Sequence, residues 1–419
     1  MRPMDVPRAV DELYRAEWGR ILATLIGLLG DFELAEEAAQ EAFAVAVEQW
    51  ASSGLPRSPR SWLIQTARHK AIDRLRRQAL IEEKLQKLAE PVEPAVSLES
   101  FDENAVPDER LRLIFTCCHP ALAMEAQVAL TLRTLCGLTT EEIARAFLLP
   151  VPTMSQRLVR AKNKIRQAAI PYLVPDETQL PERLDAVMAV IYLVFNEGYA
   201  ASQGDALVRR ELCAEAIRLA RLLKTLIGQP VPPELNALLA LMLLHDSRRE
   251  GRVGPNGELI LLEEQDRAGW DRAQIAEALP LVEEALRGGA GFYALQAAIA
   301  ALHARAERAQ DTDWHQIAAI YAVLQAIHPS PVVTLNRAVA VAMADGPERG
   351  LALVEAAADG GKLEDYHLLH AVRADLFRRL GRRTEAAGAY RRALALAGNE
   401  AERRFLQRRL DEVERAEAR

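Results

Sequence analysis

Apolar residues return every three or four positions along almost the whole chain, and the breaks in that rhythm fall at Pro and Gly. A period near 3.6 belongs to amphipathic helices, whereas strands need alternation or β-branched runs, which are scarce here. Ala, Leu, Glu and Arg, all strong helix formers, fill the stretches between breaks. The pattern predicts an all-α protein with no strand required anywhere. Breaks near Gly30-Asp31 and across Ala51 to Pro59 outline a first compact helical bundle over residues 6–80. Residues 81–109, which contain LAEPVEPAVSLESFDENAVPDE, are acidic and Pro-spotted, as a tether is when it has too little apolar surface to bury. A second block over 110–170 contains LTTEEIARAFLLPVPTMSQRLVRAKNKIR. Thr139 and Thr140 before Glu141 and Glu142 suit a capped helix start, Leu149-Pro150 ends that helix, and Pro152 suits the first turn of the next. The result is a helix-turn-helix. Residues 171–419 are helical again, and Ala374, Gly381, Ala386, Tyr390 and Ala393 occupy the small and aromatic positions of a tetratricopeptide-type hairpin.

A length of 419 residues exceeds what one core serves, which agrees with separate domains. The formal charge of −7 is unlike a free-standing DNA-binding domain, yet the basic residues bunch in two windows, Arg60 to Arg77 and Arg157 to Arg166. Such a chain holds bare DNA poorly and needs a partner to present it. No stretch approaches the roughly 20 apolar residues of a membrane span, and MRPMDVPRAVDELYRAEW lacks the apolar core of a secretory signal, so a cytoplasmic location is expected. Cys117, Cys118, Cys136 and Cys213 sit inside apolar helical patterns without metal or redox spacing, and read as small buried hydrophobes. No metal, cofactor or catalytic residue is expected.

Two strings carry candidate chemistry in the first block. SWLIQTARHKAIDRLRR places Arg68, Arg74, Arg76 and Arg77 around a helix whose other face shows Trp62, Leu63, Ala67, Ile72 and Leu75. Such a basic face gains salt-sensitive affinity for phosphates. In the preceding helix Glu37, Gln40 and Glu41 share one face, while Phe43, Val47 and Trp50 line an apolar stripe. An acidic face beside a basic helix suggests a protein partner next to DNA. In the C-terminal half His245, Asp246, Asp266, Trp270, Asp271, Asn196 and Glu197 include groups used in acid-base catalysis, but no motif gathers them. Asp and Arg near helix ends are more often caps and ion pairs.

Glu37-Ala-Ala-Gln-Glu-Ala-Phe43, Pro59-Arg-Ser-Trp-Leu63 and the string Ala67 to Arg77 resemble domain 2 of extracytoplasmic-function sigma factors of the sigma-70 family, in order and spacing. The resemblance implies that Glu37, Gln40 and Glu41 grip the β′ clamp helices of core RNA polymerase. It also implies that loop 52–60 and the helix beyond it, through Arg60, Arg68, His69, Lys70, Arg74, Arg76 and Arg77, hold the melted −10 strand. A flipped base needs a pocket and the displaced strand a positive track. The helix-turn-helix resembles sigma domain 4, which meets the polymerase β flap and the −35 element. Thr153, Ser155, Gln156 and Arg157 then face base edges, and Arg160, Lys162 and Lys164 face phosphates, with Leu158 and Ile165 in the core. The chain departs from the family at His69, where Asn is frequent, at Pro152, where Gly is usual, and at Cys117-Cys-His-Pro120.

YLVFNEGYAAS, LMLLHDSRR, LLEEQDRAGWD, TDWHQIAAIY and PSPVVTLNRAVAVA resemble the branch of that family with a helical-repeat extension. That resemblance implies a built-in control element, with a regulatory protein or ligand as its possible partner. A second function class fits the residues alone: a helix-turn-helix regulator that binds operator DNA unaided, with the repeat half as a peptide-binding scaffold.

Overall fold

The computed structural model describes residues 6–85, 108–147, 149–199, 210–254, 258–358 and 363–417. Most of the acidic segment expected as a tether, residues 86–107, lies outside the described residues. Eighteen α-helices and no strand occur among the described residues. The chain divides into two units, Met1–Val190 and Ile191–Arg419.

In the first unit α1 (Val6–Leu29), α2 (Phe32–Ser53) and α3 (Pro59–Leu85) pack on one another. The expected break at Gly30-Asp31 is present: Gly30 turns at φ 69°, and the Asp31 carboxylate accepts from the amides of Glu33 and Leu34 to cap α2. This carboxylate satisfies amides that the start of a helix leaves without partners. Trp18, Ile21, Leu22, Leu25, Phe43, Trp50 and Leu63 form the buried interior. After residues 86–107 come α4 (Arg110–Cys117), α5 (Met124–Thr134), α6 (Thr140–Ala146) and α7 (Val151–Gln167). These helices belong to the same unit, and α1 packs against both α4 and α5.

Two expectations about the apolar stripes need correction. Val47 and Leu75, read as packing positions, are 39% and 47% exposed, because a helical period sets the direction of an apolar stripe but not the width that packing covers. The four cysteines are buried, as expected, and burial pushes the Cys118 and Cys213 thiols up to about 12.

The second unit takes the end of α8 (Leu180–Tyr199), then α9 (Arg210–Ile227), α10 (Pro233–Asp246), α11 (Arg272–Arg287) and α12 (Phe292–Arg305). Leu235 through Leu244 are buried without exception and all but Asn236 are apolar, so α10 forms the centre, with α9, α11 and α12 against it. Between α10 and α11 the described residues 247–254 and 258–271 include two short 3-10 turns, Arg249–Arg252 and Arg267–Gly269. Then α13 (Trp314–Ile327), α14 (Pro331–Asp345), α15 (Pro347–Ala358), α16 (His367–Arg379), α17 (Arg383–Leu396) and α18 (Glu400–Glu417) each pack on the next. The hairpin expected from small and aromatic residues is α16 with α17. Ala374, Ala386, Tyr390 and Ala393 share one buried cluster, and Gly381 turns between the helices at φ 72°. Asp266 and Asp271 are caps, accepting from amides of Ala268, Ala273 and Gln274, and Asp246 pairs with Arg249. These placements agree with structural roles for the three carboxylates.

Candidate nucleic-acid interface

Local sequence builds the helix-turn-helix. Thr139 and Glu142 bond reciprocally, side chain to amide, at 3.1 and 2.8 Å, a capping box that starts α6. After α6 the Leu149 amide returns to Ala144 O, and Pro150 leads into α7 with Pro152 in its first turn. Met154, Leu158, Ala161 and Ile165 recur at three- and four-residue spacing and are buried. Thr153, Ser155, Gln156, Arg160 and Lys164 are left exposed and Arg157 half-buried. One face anchors, and the other offers donors and acceptors of the kinds that read base edges and phosphates.

The basic face of α3 is less free. Arg74 meets Glu37 at 2.8 Å and Glu41 at 3.6 Å, and Arg60 meets Glu17 at 3.5 Å. His69, Arg76 and Arg77 are exposed, with Arg68 and Lys70 half-buried. On α2 Gln40 is exposed and Glu37 and Glu41 are half-buried, so the three residues share an accessible face whose two carboxylates border Arg74. Trp50 is buried, with the half-buried Trp62 edge-on to it at 5.1 Å. Trp50 is therefore packing rather than a stacking platform.

Glu36, beside the expected clamp face, was not singled out from sequence. It is 7% exposed, and both of its oxygens are taken: Arg133 of α5 reaches Oε1 at 2.6 Å, and Lys162 of α7 pairs with Oε2. Burial by itself would raise the Glu36 carboxyl, but the Lys162 and Arg133 cations override it and hold the group below its ordinary range. Lys162, expected at phosphate, thus faces a carboxylate of the first block. Around this pairing, Trp18 Nε1 donates to Arg133 O at 3.1 Å and the Tyr172 hydroxyl to Ala23 O at 2.8 Å. Gly19 lies so close to residue 135 that a Cβ there would stand 2.7 Å from the Leu135 carbonyl oxygen. One sequence signal pointed to Glu36: it stands at i, i+7, i+14 spacing with Phe43 and Trp50, a register that belongs to the core.

A bundle carrying an acidic and a basic helix, followed by a helix-turn-helix, defines a helical transcription factor that engages DNA. Residues 13–81 match sigma-70 region 2 and residues 112–165 sigma-70 region 4, while residues 183–286 match a family of unknown function (DUF6596). An uncharacterised protein of Rhizobium meliloti (strain 1021) is 45% identical over 397 residues, which is 94% of this chain and 93% of that protein. No solved structure matches the chain. The chain belongs to the sigma-70 family, as an extracytoplasmic-function-like sigma factor with a helical C-terminal extension. Members of such families are DNA-binding regulators acting in transcription initiation, rather than enzymes. No described helix is long and apolar enough to cross a membrane.

Proposed function

We propose that this sigma factor binds core RNA polymerase through the Glu37, Gln40 and Glu41 face of α2 on the β′ clamp helices and through the helix-turn-helix on the β flap. It then recognises a −35 element through α7 and captures the melted −10 strand with loop 52–60 and α3. The polymerase performs the chemistry. The observation that carries this proposal is the division of labour on α7, with Thr153, Ser155, Gln156 and Arg160 exposed over a buried row of Met154, Leu158, Ala161 and Ile165. A net charge of −7 supports presentation by polymerase rather than unaided operator binding. Residues 171–419 act as the control element.

Glu36 adds a condition. Lys162 reaches phosphate only after leaving Glu36, so promoter engagement opens this ion pair.

Gel filtration with bacterial core polymerase tests the assignment: the full chain co-elutes, and a Glu37, Gln40, Glu41 triple-alanine variant does not. A strong mobility shift of duplex DNA by the protein alone, with no co-elution, would favour the operator-binding class. Arg157→Glu relaxes or abolishes −35 discrimination, whereas Lys162→Ala weakens binding evenly across promoter sequences. Equal behaviour of the two variants places the recognition helix wrongly. Promoter activity changes in a chain ending at Ala169; unchanged transcription removes the control role.

A further inference from the structure

The second unit contains a cavity of about 220 Å³, lined by α10 and the turn after it, α12, α13, and Leu262 and Trp270 of the segment before α11. Its polar lining is His245, Arg248, Gln296, His303, Trp270 and Tyr321, and no lining residue is acidic. Gln296 and His303 lie at i and i+7 on α12 and so present to one side, while His245 and Arg248 come from the end of α10 and the turn after it.

Arg248 is the unusual member. Among the described residues it forms no ion pair. One Nη meets His245 Nδ1 at 2.9 Å, the guanidinium lies 5.7 Å from the Tyr199 ring, and its Nε is buried without a hydrogen-bond partner. Asp246, two residues away, holds Arg249 and Gln274 through Oδ2, while its Oδ1 is buried without a hydrogen-bond partner, and it does not line the cavity. His303 Nδ1 is likewise buried without a partner. Burial first, and then the nearby guanidinium groups, hold both imidazoles below their ordinary range, His303 at about 3. Both rings are therefore neutral at pH 7, and Tyr321, pushed up to about 12 by burial, keeps its hydroxyl proton. The cavity thus contains a cation and several neutral polar groups but no anion. A buried charge without a counter-charge is costly, and a guanidinium answers best to a planar, bidentate carboxylate.

The rest of the wall is apolar: Ile299 and Ala300 from α12, Leu244 from α10, and Leu262 and the Trp270 ring from the segment before α11. Pockets for drug-sized ligands run from about 300 to 1,000 Å³, so this one takes something smaller. We propose that the cavity at Arg248 is a binding site for a small organic carboxylate with an apolar or aromatic body, its carboxylate on Arg248 and its body between Ile299, Leu262 and Trp270. Leu262 covers the ligand, and the next two residues tie that segment to the last helices, Glu263 to Arg379 at 3.7 Å and Glu264 to Arg409 at 3.1 Å. Occupancy therefore bears on the packing of the terminal repeat. The site stands independently of the polymerase and promoter assignments.

Isothermal titration of the full chain with benzoate, with its neutral isostere benzamide, and with inorganic phosphate tests the site. Benzoate is expected to bind saturably, and benzamide and phosphate not at all. Arg248→Gln weakens benzoate by about tenfold or more, as expected for loss of a charge-assisted bidentate contact. Ala300→Phe fills the cavity while leaving Arg248 in place, and it abolishes the binding heat with an unchanged circular dichroism spectrum. This second variant carries the test if Arg248→Gln does not fold. The assignment is overturned if benzoate does not saturate at millimolar concentration, if phosphate binds in its place, or if benzoate binds Ala300→Phe as it binds the native chain.

Discussion

Glu36 in the first unit and Arg248 in the second are both buried or partly buried charges on helical scaffolds, and their surroundings solve the same problem in opposite ways. Glu36 meets two cations from two other helices, so that each oxygen is satisfied and the carboxyl is held charged. Arg248 meets the His245 imidazole, burial first and the nearby guanidinium groups second hold the His245 and His303 rings below their ordinary range, and among the described residues Arg248 pairs with no carboxylate. A saturated charge is a fastening, while an unsaturated one implies a partner from outside the described chain. The former joins α2 to α5 and α7; the latter lines a cavity with apolar walls on its other side.

The comparison breaks most readily at Glu36. Glu36→Ala removes the counter-charge that the partly buried Arg133 and Lys162 share, and a loss of about 3–5 kcal/mol is expected for a broken buried pair. Urea unfolding of the first unit, followed by Trp18 and Trp50 fluorescence, measures it; a change below 1 kcal/mol, on the order of a surface pair, would mean that the contact fastens nothing. Gly19→Ala attacks the same packing without touching a charge. A Cβ 2.7 Å from a backbone oxygen forces a shift, with an expected cost of about 1–3 kcal/mol by overpacking. Native stability in that variant would show that α1 and residue 135 need not approach.

Acid separates the two units. His245 and His303 have depressed folded-state values, so their contribution is present above the unfolded imidazole value of about 6.5 and is lost as pH falls below it. Glu36 is also depressed, but from a carboxylate value of about 4.3, so its contribution persists until pH falls below that. Limited proteolysis between pH 7.5 and 5 is therefore expected to open the second unit first, with the first unit intact until below about pH 4. Simultaneous loss of both would contradict the assignment of neutral buried imidazoles. The smallest effect belongs to Arg74→Ala, because the pair with Glu37 and Glu41 is more than one-third exposed and screened by solvent. A change of about 0.2–1 kcal/mol is expected in the urea midpoint, together with a freer α2 face.

Several element boundaries were legible. Asp31, the Thr139 and Glu142 box, Pro150 and Gly381 act within a turn or two of their own positions, so the breaks they make follow from adjacent residues. The burial of Leu158 and Ile165 followed from periodicity for the same reason. Val47 and Leu75 did not, since a period gives the direction of a stripe and not the width that a neighbour covers.

The chain by itself determined an all-helical build, the helix-turn-helix, the exposed polar face of α7 and the tetratricopeptide-type hairpin, because capping, helical period and turn chemistry are local. Only tertiary structure decided that Lys162 faces Glu36 across 126 positions, and that Arg248, His245 and His303 enclose a cavity without an acid. Charges far apart in sequence acquire partners, or fail to, only when packing brings their helices together, and whether a cation is answered depends on every element around it.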